Sequence, residues 1–211
     1  MELSDCKLLI IYGGSFDPPH WAHIRLPMLV REKLGADAVA YVPAGRPPHK
    51  RGRKLTAAAH RLRMLQLALE YEHEHRSIIL TDEIERSREN IPSFTIDTIK
   101  IIQNRIPPHC RMRLLIGSDQ LRIWRQWKSY TRIEKLAEPI VMVRPPHTAE
   151  TILKKLPPGM NKIKWQTRLL DVPPIDISAT IIRKRITLNK TIDQLVPPPV
   201  ALYINTHHLY V

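Results

Sequence analysis

The sequence predicts an α/β protein built on an open, mainly parallel sheet with helices on both faces. Short apolar runs typical of buried strands alternate with longer stretches of helical periodicity. Alternation of this kind is typical of a Rossmann-like sheet, in which helices connect parallel strands. The chain has 211 residues, of which 43% are hydrophobic. It can therefore bury one sizeable core, and we predict a single domain over residues 1–211.

Six strands and three long helices are predicted in alternating order. The strands are short apolar runs at residues 7–12, 38–42, 77–80, 113–116, 140–143 and 167–170. The helices are predicted at residues 20–34, 57–71 and 93–105, and a helical C-terminal segment completes the domain. Gly35 follows the first helix, where a C-cap glycine is typical. Pro107 stops the third helix, because the residue before a proline disfavours helical geometry.

The stretch from residue 8 to residue 25 is predicted to bind phosphate. An apolar strand ends at Gly13 and Gly14, and an amphipathic helix follows within a few residues. Glycine lets the backbone approach a ligand, and a helix start offers unpaired N–H groups and a positive dipole end. His20 and His23 are spaced i, i+3 at that start, so both can reach one anion. Taken alone, a tight turn before a capped helix or a metal-binding histidine pair would also explain the pattern.

The net charge of +13 is concentrated after the second predicted strand. Residues 38–69 contain no acidic side chain, and Arg46 and Lys50 lie in this basic loop. Such a loop favours an anionic ligand, although a solvated basic surface is the commoner explanation for a charged run in isolation. The sequence lacks the aromatic interleaving of single-strand binders and the patterns of zinc fingers and RRM domains. We therefore expect no nucleic-acid partner.

The remaining composition argues for a cytoplasmic protein. No stretch approaches the length of a membrane span, and no signal peptide precedes the first strand, so we expect no membrane partner. Cys6 and Cys110 are distant in sequence and outside any CxxC motif, so neither a disulfide framework nor a structural zinc site is expected. The sequence is compatible with a homo-oligomer.

The segments that carry chemistry all follow predicted strands. Residues 13–23 follow the first strand, the RPPHK loop the second, Gly117 to Asp119 the fourth, Arg144 and Pro145 the fifth, and residues 177–183 the last. Ligands of open parallel sheets collect at the carboxyl ends of the strands. The sequence therefore predicts that these five segments converge on one crevice.

Two of these segments resemble the signatures of a known enzyme superfamily. Residues 13–23, GGSFDPPHWAH, are similar to the GGTFDPxHxGH motif of the HxGH nucleotidyltransferases, and residues 177–183, ISATIIR, are similar to their ISSTxxR motif. The resemblance implies nucleotidyl transfer on a Rossmann-like fold. Ala22 stands where that family has glycine, and we expect its methyl group to retune ATP affinity while activity is kept.

Further segments resemble the bacterial nicotinate-nucleotide adenylyltransferases over nearly the whole chain. They are PAGRPPHK at 43–50, IPSFTIDTI at 91–99, LLIGSDQL at 114–121 with Trp127, and YINTHHLY at 203–210. The resemblance implies transfer of AMP from ATP to nicotinate mononucleotide, which gives nicotinate adenine dinucleotide and pyrophosphate. Phe94 replaces the tyrosine usual in that family, so a hydrogen bond from this hydroxyl is lost.

The resemblance also assigns roles to individual residues. The catalytic residues would be His20 and His23 on the phosphates and Arg183 clamping the β- or γ-phosphate. ATP would be bound by Gly13, Gly14, Ser15, Phe16, Gly117, Asp119, Ile177, Ser178 and Thr180. Nicotinate mononucleotide would be bound by Ser93, Phe94, Thr95 and Trp127, with the indole on the pyridine ring and backbone N–H groups on the carboxylate. Arg46 and Lys50 would be further phosphate contacts. Taken alone, Trp127 would be read as a core aromatic residue and Asp119 as a helix N-cap.

The implied reaction needs no nucleophilic side chain. A phosphate oxygen of the acceptor attacks the α-phosphorus of ATP in line and pyrophosphate leaves, so catalysis rests on positioning and charge neutralisation. The two histidines would donate to phosphate if protonated or in the correct tautomer. Mg²⁺ is expected, bound mainly through the ATP phosphates, and no dedicated metal cage of side chains is expected. We expect His73, His75, His207 and His208 outside the site.

Two other functions remain open from the sequence. A related enzyme that adenylates nicotinamide mononucleotide or phosphopantetheine would share both signatures and differ in its acceptor pocket. A non-enzymatic nucleic-acid-binding protein would account for the positive charge but would leave both signatures unused.

Overall fold

The computed structural model describes residues 3–47, 55–144 and 147–211. These residues contain an open sheet of six parallel strands in the order β3-β2-β1-β4-β5-β6. The strands are β1 (Leu8–Gly14), β2 (Ala38–Pro43), β3 (Ser77–Ile79), β4 (Arg111–Gly117), β5 (Ala137–Val143) and β6 (Leu169–Asp171). The predicted parallel α/β fold is confirmed, and each predicted strand is present within a few residues of its expected bounds.

Ten α-helices connect and cover these strands within the described ranges. They are α1 (Trp21–Leu34), α2 (Ala58–Tyr71), α3 (Asp82–Arg88), α4 (Thr95–Gln103), α5 (Ser118–Leu121), α6 (Tyr130–Leu136), α7 (Ala149–Lys154), α8 (Lys162–Gln166), α9 (Ala179–Thr187) and α10 (Pro198–Thr206). The three predicted long helices are α1, α2 and α4, and α4 is shorter than predicted because Phe94 is still extended. No helix of the described residues is both long and apolar enough to span a membrane.

Two hydrophobic layers enclose the sheet, one on each face. Successive side chains of a strand point to opposite faces, so Ile10 joins one layer while Leu9 and Ile11 join the other. The first layer packs against α1, α2, α9 and α10, and the second against α4, α6 and α8. The predicted helices on both faces are therefore confirmed.

The strand order positions the functional site. The chain proceeds from β1 to β2 and β3 on one side, and from β4 to β5 and β6 on the other. Connections leave the carboxyl ends of β1 and β4 in opposite directions, which opens a crevice between them. The connection after β1 leads into α1, and α1 ends at Gly35, which has the left-handed conformation predicted for a C-cap (φ 60°).

Cys6 and Cys110 meet at the opposite end of the sheet. They are 104 positions apart in sequence, yet their sulfur atoms are 3.2 Å apart and both side chains are buried free thiols. The cause is the parallel register of β1 and β4, which aligns Leu8 with Arg111. Burial, together with the neighbouring Cys110 thiol, raises the pKa of Cys6 to about 12.

Candidate active site

A crevice of about 670 Å³ lies at the carboxyl ends of the central strands. The β1–α1 segment contributes Gly13, Gly14, Ser15, Phe16, His20 and His23 to its lining, and the β4 end contributes Gly117 and Asp119. Ile177, Ser178, Thr180 and Arg183 line it from the α9 side, and Ser93, Phe94, Thr95 and Trp127 from the α4 side. Among the residues that the structure describes, it thus brings together every predicted site residue except Arg46.

The two remaining predicted phosphate contacts have different outcomes. Arg46 is exposed and lies outside the crevice lining, and its guanidinium Nη1 donates to the backbone and side-chain oxygens of Asn90, each at 3.2 Å. Lys50 falls outside the described residues, as does Pro145. His73, His75, His207 and His208 do not line the crevice.

His20 and His23 form a stacked pair at the start of α1. His20 is the N-cap residue of this helix, and the backbone N–H of His23 donates to the His20 carbonyl at 2.8 Å. Their ring centroids are 3.7 Å apart with an interplanar angle of 25°. The predicted i, i+3 geometry is therefore present, and both rings line the crevice beside the positive end of the helix dipole.

The His20 imidazole is uncharged at neutral pH. Only 4% of the residue is exposed, and burial, with a smaller contribution from Arg144, lowers its pKa to about 3. Its Nδ1 atom is buried and has no hydrogen-bond partner among the described residues. Burial thus favours the neutral form of His20, in which one ring nitrogen still carries a proton that can be donated to phosphate.

Phe16 and Gly14 support the histidine pair. Phe16 is fully buried, and its ring packs edge-on against His23 with centroids 5.2 Å apart. A Cβ atom on Gly14 would lie 2.8 Å from the Phe16 ring, whereas one on Gly13 would be 4.0 Å from its nearest neighbour. Glycine at position 14 thus makes room for an aromatic ring, in addition to lining the crevice where the sequence predicts close approach of a ligand.

Arg183 is held against the β1–α1 segment. Its Nη1 atom donates to the Asp17 carbonyl, and its Nη2 atom donates to the Thr180 hydroxyl at 3.1 Å. Ser178 is the N-cap of α9 and accepts from the Ile181 N–H at 3.2 Å, as expected for a capping serine. The cap and the arginine therefore come from one helix start, and both line the crevice together with the histidine pair.

The opposite side of the crevice has aromatic walls. Trp127 packs on the buried Trp124 with centroids 5.2 Å apart, and Trp124 donates its indole N–H to Glu134 at 2.9 Å. The ammonium of Lys128 lies 4.3 Å from the centroid of the Phe94 ring. Lys128 lines the crevice and adds a cation next to the predicted acceptor pocket, which no motif had indicated.

A second cavity of about 390 Å³ adjoins the crevice. The two cavities share Asp119, Arg144, Ile177 and Ser178 as lining residues. The inner walls of the second cavity include apolar side chains of Ile152, Pro174 and Ile175. Polar and charged residues, among them Arg122, His147 and Lys155, provide most of the remaining lining, so the cavity offers a nucleoside both packing surface and hydrogen-bonding groups.

Three carboxylates line the crevice, and each accepts a hydrogen bond, that of Asp119 coming from the Gln120 side-chain amide at 2.6 Å. Asp17 accepts from the Tyr210 hydroxyl at 2.8 Å, and Glu83 accepts from the Thr98 hydroxyl at 2.8 Å. Burial raises the pKa of the Glu83 carboxyl. Asp119 is exposed, and no group of three potential metal ligands occurs among the described residues. This donor set fits a magnesium ion that arrives with ATP phosphates, since Mg²⁺ commonly takes few protein ligands there.

Arg144 lines both cavities, as predicted from its place after the fifth strand. Arg61 and Tyr210, to which the sequence assigned no role, contact the β1–α1 segment from distant parts of the chain. A short sequence motif cannot indicate such contacts, because they depend on how α2 and the C-terminal segment pack against β1.

Comparison with known proteins shows the family. A family model described as cytidylyltransferase-like matches residues 11–185. Among curated proteins, a Bacillus pumilus protein with the name nicotinate-nucleotide adenylyltransferase is 34% identical over 204 residues, which are 97% of this chain and 98% of that protein. A Thermomicrobium roseum protein of the same name is 36% identical over 202 residues, covering 95% of this chain and 90% of its own length.

Solved structures agree on the fold. A Plasmodium falciparum nicotinic acid mononucleotide adenylyltransferase, solved in complex with NaAD, superposes with a TM-score of 0.69 at 23% identity and 97% coverage of each chain. The family model and the curated relatives show that this chain belongs to the cytidylyltransferase-like nucleotidyltransferases and, within them, to the nicotinate-nucleotide adenylyltransferases.

Proposed function

We propose that this chain transfers AMP from ATP to nicotinate mononucleotide by direct in-line attack, with ATP spanning both cavities and the acceptor in the crevice. The products are nicotinate adenine dinucleotide and pyrophosphate, a step of NAD biosynthesis. Family membership supports the reaction, and the NaAD bound to the Plasmodium falciparum relative supports the product. The described residues support the geometry.

The observation that carries the proposal is that two cavities adjoin at Asp119, Arg144 and the start of α9, and that the larger one also contains the histidine pair at the start of α1. The second cavity, of about 390 Å³, suits the adenosine of ATP, and its polar wall at Asp119 can accept a ribose hydroxyl. The crevice of about 670 Å³ leaves room for the triphosphate and for a second nucleotide. A bisubstrate reaction requires such adjoining compartments, whereas a binding protein for a single nucleotide does not.

Catalysis would come from positioning and from charge neutralisation. His20 and His23 would donate hydrogen bonds to the phosphates, and Arg183 would hold the leaving pyrophosphate with its planar fork. A neutral His20 imidazole adds no charge, so the Arg183 guanidinium and the helix dipole of α1 would help to neutralise the growing negative charge. The attacking phosphate already carries a nucleophilic oxygen, so no covalent enzyme intermediate is required.

The acceptor pocket favours an anionic ring substituent. The N–H groups of Ser93 and Phe94 donate to Arg46 and Pro92 carbonyls, which leaves the first turn of α4 at Thr95 as the donor for a carboxylate. The Lys128 ammonium lies on the same side, where it is paired with Asp97 at 3.4 Å and is placed to contact a second anion. Trp127 would stack on the pyridine ring. An amide in place of the carboxylate would present its own NH₂ donors to these donors.

Mg²⁺ would be held mainly by ATP phosphates, with Asp119 as the accessible protein carboxylate. When bound, it would neutralise phosphate charge in the transition state. The whole chain, residues 1–211, would act as one nucleotidyltransferase domain in the cytoplasm, alone or as a homo-oligomer.

The proposal is tested by pyrophosphate release from ATP with a panel of acceptors under one set of conditions. We expect nicotinate mononucleotide to be preferred over nicotinamide mononucleotide by about a hundredfold or more in kcat/KM, since an unpaired buried donor separates such substrates strongly. Equal use of the two would refute the assigned acceptor pocket and leave adenylyl transfer intact. Activity with phosphopantetheine alone would establish the related enzyme, and salt-sensitive nucleic-acid binding without ATP turnover would establish the non-enzymatic alternative.

A further inference from the structure

Behind the phosphate-binding segment lies a cluster of polar side chains that does not line the crevice. Arg61 of α2 donates from Nη1 to the Ser15 carbonyl at 2.8 Å and from Nε to the Thr56 carbonyl at 2.9 Å. Tyr210, near the C-terminus, donates its hydroxyl to Asp17 Oδ1 at 2.8 Å. Neither Arg61 nor Tyr210 is among the crevice-lining residues, whereas Ser15 and Asp17 are.

Asp17 and Arg61 are both buried, so each needs its hydrogen-bond partners. Asp17 is 3% exposed and Arg61 is 2% exposed, so both charges are removed from water and depend on their partners. The negative charge of Asp17 counteracts the lowering of the Arg61 pKa by burial. Burial, together with Asp17, raises the pKa of Tyr210, which keeps its hydroxyl protonated as a donor.

The backbone at Tyr210 is strained. Its φ of 68° lies in the left-handed region, which a bulky aromatic residue rarely adopts. Such a conformation costs free energy and persists only when surrounding contacts impose it. Here the ring packs against the first hydrophobic layer and the hydroxyl donates to Asp17. The strain therefore indicates that the position of this hydroxyl is under constraint.

The cluster leads directly to a catalytic side chain. The Asp17 residue that accepts from Tyr210 through its carboxylate also accepts from Arg183 Nη1 through its backbone carbonyl. A shift of Asp17 therefore moves both the turn before α1 and the anchor of the Arg183 guanidinium. Displacements of about 1 Å in such groups can reduce turnover a hundredfold.

We infer that Tyr210 and Arg61 are positioning residues of this enzyme, which hold the Ser15–Asp17 turn so that Arg183 and the histidine pair meet the ATP phosphates in the correct geometry. The inference rests on the proposed function only in requiring that the triphosphate bind at this turn, and it does not depend on the identity of the acceptor. It assigns a role in phosphate positioning to the C-terminal segment, whose Tyr210 lies 193 positions from Asp17 in sequence.

The test compares Tyr210→Phe with Tyr203→Phe, which removes a hydroxyl from the same C-terminal region. Tyr203 bonds to His60 Nδ1 at 3.0 Å and does not line the crevice, so its variant loses a hydrogen bond unconnected to Asp17. For Tyr210→Phe we expect kcat/KM for ATP to fall about tenfold or more, while KM for nicotinate mononucleotide stays within about twofold. Tyr203→Phe should leave both parameters within about twofold of wild type.

Binding of a methylene-bridged ATP analogue, measured by calorimetry for the full-length chain, separates this inference from the choice of acceptor. Weaker binding to Tyr210→Phe than to Tyr203→Phe, at equal melting temperatures, supports it even if the acceptor is not nicotinate mononucleotide. Unchanged kcat/KM for ATP in Tyr210→Phe would overturn it, as would an equal loss in both variants, which reveals a purely structural effect. Failure of the wild-type protein to bind the analogue would overturn the inference and the proposed function together.

Discussion

Replacing Gly45 by alanine should impair the acceptor site by displacing backbone. Gly45 follows β2, and its N–H donates to the Ser93 hydroxyl at 3.2 Å. A Cβ atom at position 45 would lie 1.9 Å from the carbonyl oxygen of Glu83, 2.6 Å from its carbonyl carbon and 2.8 Å from Ser87 Cβ. The obstruction is a buried helix backbone, so no rotation of a flexible side chain can relieve it.

The size of the effect follows from these distances. Ordinary contact begins at 3.4 Å, so the segment after β2 and the start of α3 must separate by about 1.5 Å, the difference from 1.9 Å. Overpacking of this kind costs about 1–3 kcal/mol of unfolding free energy, which lowers Tm by about 2–12 °C in a chain of this size. Ser93 accepts from the N–H groups of both Gly45 and Arg46, so it should move with the segment.

The assay combines thermal unfolding with steady-state kinetics for each substrate. We expect kcat/KM for nicotinate mononucleotide to fall between tenfold and a hundredfold, since a misplacement of about 1 Å can cost that much, while KM for ATP changes little. Gly35→Ala is the matched control, because its Cβ meets nothing within 4 Å and only its left-handed φ of 60° is strained. If the two variants showed the same acceptor kinetics at similar Tm values, the steric reasoning would be refuted.

Three further predictions concern the phosphate-binding helix start. The His20 pKa is about 3 in the folded protein, compared with 6.5 for an ordinary histidine. Below pH 6.5 the unfolded chain therefore binds a proton that the folded protein does not, and the free energy of unfolding falls. The loss amounts to about 3 kcal/mol at pH 4.5. His20→Asn should remove that loss. If urea unfolding showed the same dependence of stability on pH in the variant and the wild type, the prediction would be contradicted. His23→Ala should reduce kcat about a hundredfold, which corresponds to a loss on the order of 3 kcal/mol of transition-state stabilisation. Near-normal turnover in a folded variant would contradict this role. Ala22→Gly should stay active with ATP affinity changed by less than about 1–3 kcal/mol, and failure to fold would show instead that the buried Ala22 methyl is needed for packing.

The fold could be predicted largely because local patterns and topology agree in this chain. Strong apolar runs at β1, β2 and β4, and the Gly35 cap after α1, each determine their own local structure. The α3 helix was not predicted, since its seven residues, DEIERSR, include only one aliphatic side chain and show no periodic apolar face. Its stability comes from tertiary contacts such as the bond from Arg105 to Asp82, at 2.6 Å.

The parts of the candidate site that consist of short motifs could be predicted, whereas the parts that depend on three-dimensional packing could not. Both signature segments line one crevice, as their places after strands indicated, and the aromatic residues implied by the family resemblance line it too. The ionisation of His20 depends on burial, which the motif does not encode. The contact between Tyr210 and Asp17 depends on the return of the C-terminus to β1, and sequence separation conceals it.

Alkylation of the buried thiols of Cys6 and Cys110 can be used to measure local opening of this protein. A thiol with a pKa of about 12 has almost no thiolate at neutral pH, and both side chains are shielded from reagents in the closed state. Alkylation can therefore proceed only through conformations that separate the ends of β1 and β4. When reclosing is fast compared with alkylation, the labelling rate gives the free energy of that opening. The extent of labelling can be measured by mass spectrometry without an added probe. Comparing the rate with and without ATP would reveal whether ligand binding at one end of the sheet protects the other.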